Sequence, residues 1–247
     1  MYYIKNMKNL KVYQISLELY QMLISEIKIY DTNFYKVKNE TINIINNIAL
    51  ANGKEFYFKE KIKHYKFAIY KSYTLEKLLK HYENRKTYLS KIIEIRNILF
   101  TLIKREEKIM NTKSNKYKTE EVEYTNYISK DLKSLKAYEL GVIYVQECIK
   151  IIDCLPNYEK YIMKDQLRRS SQSVLSNIGE AHGYGDIYYK KAISSYNIAL
   201  GSLKESIAQI DICYISNYIS KDVYDYVNNV ANQIIALVVT YIRNMCK

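Results

Sequence analysis

Seven side chains in the first third of the chain are spaced to act together: Lys59, Lys63, Lys66, Tyr70, Tyr73, Lys77 and Lys80. They recur at steps of three and four, which at about 100° per residue places them on one face of a helix. Five like charges on one stripe repel each other unless an anion neutralises them. Phosphates at a regular pitch would do so and release their counterions. The two tyrosines inside the stripe can stack on bases or ribose. The alternative is a solvated lysine-rich face, with Tyr70 and Tyr73 partly buried. A second basic group is formed by Arg168 and Arg169, with Lys164 one turn earlier. Guanidinium pairs bidentately with phosphate or carboxylate. These arginines therefore fit either a phosphate contact or a structural ion pair, within the chain or at a subunit interface, with Glu180 or Asp211 as example partners.

Catalytic constellations are missing from the sequence. The three histidines are His64, His81 and His182. A di-iron bundle needs Glu-x-x-His pairs on facing helices, whereas Glu60 and His64 are four apart and Glu180 and His182 two apart. No P-loop, GxSxG, HExxH or Gly-rich phosphate loop is present. No Ser, Cys or Lys stands beside an evident base. The expectation is a protein that is not an enzyme and has neither cofactor nor metal site. Cys148, Cys154, Cys213 and Cys246 lack CxxC spacing and read as free buried thiols of a reducing cytoplasm. No signal peptide is visible at the N-terminus. The longest apolar run, 234–242, is interrupted by Thr240 and too short to span a bilayer. The expected location is cytoplasmic.

Charge placement separates two parts of the chain. The net charge is +12. Residues 1–118 hold 24 basic and 11 acidic residues, a balance of +13, and residues 119–247 hold 14 and 15, a balance of −1. A compositional bias toward Lys, Asn, Ile and Tyr would act on both parts, so the N-terminal excess carries information about partners.

The elements that position these residues repeat. One proline and six glycines in 247 residues argue for long helices and short turns. Leu10, Tyr13, Leu17, Tyr20, Ile24 and Ile27 alternate by three and four. Adding 125 gives Leu135, Tyr138, Val142, Val145, Ile149 and Ile152. With an offset of 130, Val37, Thr41, Ile44, Ile48 and Ala51 meet Leu167, Ser171, Val174, Ile178 and Ala181. With an offset of 135, Tyr88, Ile92, Ile95, Leu99 and Leu102 meet Val223, Val227, Val230, Ile234 and Leu237. This reads as an internal duplication. The third helix is less faithful: Ser72 and Glu76 fall where the second copy has Leu203 and Ile207, and they make poor core residues.

The spacing predicts helices over 8–30, 34–52, 55–83 and 86–110, then 132–153, 157–182, 186–216 and 220–245. The fold class is all-α: two tandem antiparallel up-down four-helix bundles. Residues 1–110 form a divergent basic bundle, 111–131 a polar linker and 132–247 the second bundle. The last helix is apolar on most sides through Ile235, Val238, Val239 and Ile242. It is therefore expected to pack on the other unit or on a second chain. Asn177, matched by Asn47, is expected to be buried and to fix helix register.

The second bundle carries a recognisable signature. Leu167-Arg168-Arg169 is followed by Ser176-Asn177-Ile178-Gly179-Glu180, a Gly-marked turn at Gly183 and Gly185, and Gly201-Ser202-Leu203. Residues 135–216 resemble the four-helix-bundle family of the 23S rRNA intervening-sequence protein and of the accessory variability determinant of diversity-generating retroelements. Many members have proline before the Ser-Asn pair. Leu175 stands there in this chain, which predicts a straighter helix. The resemblance implies a non-catalytic, self-associating protein that binds RNA or DNA through backbone contacts and serves a reverse transcriptase or other mobile-element machinery. Retroelement relatives form basic pentameric barrels. In a chain that holds two units, an intramolecular pair or a dimer of such pairs is equally open. The alternative function is a structural protein–protein adaptor that binds no nucleic acid.

Overall fold

The structure is a computed structural model and describes residues 6–29, 31–54, 57–113, 132–185 and 188–246. The chain divides into two compact units, Met1–Asn115 and Lys116–Lys247. The first contains α1 (Lys11–Glu26), α2 (Phe34–Gly53), α3 (Phe58–Leu78) and α4 (Arg85–Lys113). The second contains α5 (Lys136–Cys154), α6 (Asp165–Tyr184), α7 (Tyr189–Ile215) and α8 (Lys221–Met245). No strand occurs among the described residues, and the fold is all-α. Helix α4 runs through the first residues of the expected linker, and 114–131 lies outside the described residues.

Side-chain pairs give the direction of each helix. In the first unit Lys11 pairs with Glu94, Lys91 with Glu18, and Tyr88 and Asn84 with Glu26. Numbers rise on α1 as they fall on α4, so the two run antiparallel. The same holds for α2 and α3, through Glu40–Lys71 and Asn47–His64, and for α3 and α4, through Lys61–Glu106 and Ser72–Arg96. In the second unit Ser170–Gln209, Ser173–Ser202 and Glu180–Ser195 align α6 against α7, and Asp211–Tyr224 and Tyr196–Tyr241 align α7 against α8. In each unit every helix packs on its successor and the first packs on the last.

The turns have local causes. After α6 the chain reverses at Gly185, whose φ of 53° suits glycine, while Gly183 is still helical. Asn217 ends α7 with φ 58°, and the Tyr218 amide donates back to the Cys213 carbonyl at 2.9 Å. Asparagine tolerates this left-handed conformation better than most residues, so it stands in for glycine. The side chain of Ser220 accepts from the Val223 amide at the start of α8. Helix α6 is continuous through Leu175, and a π-helical turn, Lys160–Lys164, leads into it.

The expected rows of α2 and α6 are buried throughout, from Val37 to Ala51 and from Leu167 to Ala181. Each large aliphatic side chain in them contributes about 1.5–3 kcal/mol of burial. On α1 the expected row is buried at Tyr13, Tyr20 and, just past the helix end, Ile27, and on α5 at Ile152. A second row, displaced from it, is buried as well: Val12, Ile15, Ser16, Leu19 and Leu23 on α1, and Ala137, Leu140, Gly141, Tyr144 and Cys148 on α5. Leu17, Ile24, Tyr138, Val142 and Val145 lie half-buried on the flank. The displaced row contains Ser, Gly and Cys, which do not read as apolar. Gly141 shows why they are there: a Cβ would sit 3.0 Å from a Leu175 methyl, so α5 and α6 approach closely.

Ile235, Val238, Val239 and Ile242 are buried, and α8 packs on α5 and α7. The expectation for the cysteines needs correction. Of the four cysteines, Cys148 and Cys213 are buried, whereas Cys154 and Cys246 are exposed near helix ends. Burial pushes the Cys148 thiol up to about 12, so it stays protonated.

Candidate nucleic-acid interface

Helix α3 buries Ile62, Tyr65, Ala68, Ile69, Ser72 and Leu75 and turns its other side to solvent. All seven stripe residues from Lys59 to Lys80 are exposed; Lys80 lies in the 3-10 turn that follows α3. Tyr70 is 65% accessible, whereas Tyr73 is 46% accessible and so partly buried, as the solvated-face alternative supposed. Lys63 lies 3.7 Å from Glu60, and Lys66 lies 3.8 Å from Glu107. Exposed pairs at such distances contribute about 0–1 kcal/mol, so both ammonium groups remain available to another anion. Lys59 and Lys77 form no ion pair among the described residues.

The poor core residues Ser72 and Glu76 are explained by a partner on α4. Arg96 is 8% accessible. Its Nε donates to Ser72 Oγ at 2.7 Å, and its Nη1 lies 2.6 Å from Glu76 Oε2. The guanidinium carbon stands 3.6 Å from the centre of the Tyr73 ring, a cation–π contact that fixes the tyrosine on the surface. Sequence reasoning missed Arg96. The signal was the pair of misplaced polar residues, one turn apart, that required a polar partner.

Two more residues on this side of the unit were missed. Phe67 on α3 and Phe100 on α4 are each 46% accessible. They lie off the apolar rows, which is the signal that could have found them.

His64 adjoins the stripe, and its Nδ1–H donates to Asn47 Oδ1 on α2 at 3.1 Å. Burial, with help from Lys54, lowers its pKa from 6.5 to about 4. The unfolded histidine thus binds a proton at higher pH than the folded one. Stability from the neutral ring is therefore complete above about 6.5 and is lost as pH falls toward 4. In thermal melts over that window, His64→Gln should flatten part of the fall in melting temperature. Identical slopes for the two proteins would contradict the assignment.

In the second unit Arg168 and Arg169 are exposed on the first turns of α6, and Lys164 is half-buried in the π-helical turn. Arg169 Nε reaches only the Asp165 carbonyl, at 3.4 Å. Neither arginine forms an ion pair among the described residues, so the intrachain pair with Glu180 or Asp211 is not made. Glu180 instead accepts from Ser195 at 3.1 Å and Tyr184 at 3.0 Å, and Asp211 accepts from Tyr224 at 2.9 Å. Around them most polar side chains of α6 serve packing. Ser170 donates to Gln209 at 2.7 Å and Ser173 meets Ser202 at 2.8 Å, both on α7. Asn177 is half-buried rather than buried, and its amide donates to the Ser173 carbonyl of its own helix at 2.8 Å. Asn47 does the same with Asn43.

This α6–α7 pairing carries the signature residues, and the comparison with known families falls on it. Residues 133–240 match the 23S rRNA-intervening sequence protein family. The matched segment lies within the second unit and spans α5 to most of α8. No curated protein matches the chain. Within the matched segment Leu167, Ile178 and Leu203 are core, and Ser170, Ser173, Glu180 and Ser202 set the register of α6 on α7. Arg168 and Arg169 are the signature residues that this packing does not use. Among the described residues no helix is long and apolar enough to cross a membrane, and no group of His, Cys, Asp and Glu is arranged to hold a metal.

Proposed function

We propose that the chain is a non-catalytic nucleic-acid-binding and assembly protein. Its first unit holds nucleic-acid backbone through Lys59, Lys63, Lys66, Lys77 and Lys80. The observation that carries this reading is the stripe itself: five exposed lysines and two exposed tyrosines along one side of α3 and the turn that follows it. The +13 balance of residues 1–118 against −1 for the remainder supports it. The match of the second unit to a family named for an rRNA intervening sequence is consistent with an RNA setting.

The two units are read as divergent copies. Support comes from the same ring of helix contacts in each and from deep rows on α1 and α5 that keep the offset of 125, as Leu19 and Tyr144 illustrate. In this reading the second copy kept the α6–α7 signature, and the first kept the scaffold while acquiring its basic surface. Service to a reverse transcriptase rests on the resemblance to the retroelement branch, and a neighbouring reverse transcriptase gene with variable repeats would support it. Self-association rests on the resemblance alone, since the apolar side of α8 is covered.

Filter binding with the full chain tests the proposal. Retention of RNA or DNA at micromolar protein is expected at low salt, with little dependence on sequence and a steep loss as salt rises. No retention at low salt would overturn it and leave the protein–protein adaptor.

A further inference from the structure

Exposed lysines suit any nucleic acid, but the aromatic residues among them are selective. The chain has five phenylalanines, and two of them, Phe67 and Phe100, stand nearly half exposed. Phenylalanine has no polar tip that gains from contact with water, and single large aromatic side chains normally go to the core. Neither ring makes an aromatic or cation contact among the described residues.

Their placement follows from the antiparallel pairing of α3 and α4. Two cross-contacts bracket the region: Tyr73 with Arg96, and Lys66 with Glu107. Phe67 and Tyr70 fall between Lys66 and Tyr73 on α3. Phe100 falls between Arg96 and Glu107 on α4. Around them Lys63, Lys77 and Lys104 are exposed. Phe67 stands one helical turn from Lys63 and from Tyr70, so rings and ammonium groups alternate along the solvent side of α3, with Phe100 at the same level on α4, and Tyr73 is held by Arg96.

We infer that this α3–α4 surface binds single-stranded nucleic acid, with Phe67, Tyr70 and Phe100 stacking on unpaired bases while the lysines meet the phosphates. The inference rests on the nucleic-acid reading above and adds the strand type. A duplex keeps its base faces stacked inside, so it offers phosphates to the lysines and nothing to the rings. A single strand offers both. A second copy of the same surface is disfavoured, because a two-fold contact would bring Lys63, Lys66 and Lys77 against their own equivalents. A membrane surface would want rings and charges on opposite sides of a helix rather than interleaved.

Fluorescence anisotropy with the full chain decides it. The probes are a labelled oligo-dT or oligo-U of about 20 nucleotides and a duplex of the same length at equal salt. The single strands should bind more tightly. F67A/F100A should weaken them about tenfold or more, as expected for the loss of one or two stacks, and leave duplex affinity and the salt slope unchanged. F67L/F100L, which keeps apolar area but removes the rings, should behave like the alanine variant. Both variants should remain folded, with melting temperatures lowered by only a few degrees, about what losing two half-buried rings costs. Equal affinity for single strand and duplex, unaffected by either variant, would overturn the stacking inference and leave the backbone-binding reading standing. No binding of either probe would overturn both. Binding to anionic vesicles that depends on Phe67 and Phe100, without oligonucleotide binding, would make the surface a membrane contact and overturn the inference.

Discussion

Glu76→Leu is expected to destabilise the first unit by about 3 kcal/mol, the lower end of the range for breaking a buried ion pair. The loss falls on Arg96. Its side chain is 9% accessible and Nη2 already lacks a hydrogen bond. Without Glu76 it becomes a buried guanidinium supported by Ser72 and the Tyr73 ring alone. The reciprocal change, Arg96→Leu, should cost less, because Glu76 is 37% accessible and its carboxylate can turn to water. That asymmetry distinguishes a desolvated cation from a generic packing defect. Urea unfolding of the three proteins measures it, with midpoints read at unchanged m-value. A third variant completes the argument. The matching positions of the second unit hold Leu203, Ile207 and Ala231. Replacing the cluster as a whole, S72L/E76I/R96A, should restore stability to the parent value or above, since apolar residues of similar volume are often as good as a buried pair or better. A triple variant as unstable as Glu76→Leu would show that the cluster is not an exchangeable unit.

The second large effect is on binding. K63Q/K66Q/K77Q should reduce the log–log salt slope by about two to three units if each lysine meets one phosphate. At physiological salt that corresponds to roughly a hundredfold weaker binding. Glutamine is a good helix former, and only weak exposed pairs with Glu60 and Glu107 are lost, so folding should survive. R168Q/R169Q tests α6 separately. If the arginine change alone abolishes binding, the interface lies on the matched signature and the lysine stripe is a solvated face. If the lysine change alone does, the interface is the surface by which the first unit differs from the second.

Helix content and the core rows of α2 and α6 were legible in the sequence. A row such as Leu167, Ser171, Val174, Ile178 and Ala181 declares itself because hydrophobic burial imposes the 3.6-residue period directly on residue type. The stripe on α3 was legible for the converse reason, since charge at that period leaves no alternative to solvent. The second buried row on α1 and α5 was not legible, because Ser16, Gly141 and Cys148 look the same in a sequence whether they pack or not, and at Gly141 it is the close approach of α6 that selects a small residue. Hydrogen-bonding assignments were beyond it too. Glu180 was open to an arginine by charge, but the register of α6 on α7 gives it to Ser195. Arg96 carries the clearest case. Sequence alone marked Ser72 and Glu76 as misplaced. Only the antiparallel meeting of α3 and α4 brings a guanidinium from 24 residues away into contact with Ser72. Periodicity is a property of one helix, read along the chain. Partnership is a property of two, and it is settled where they cross.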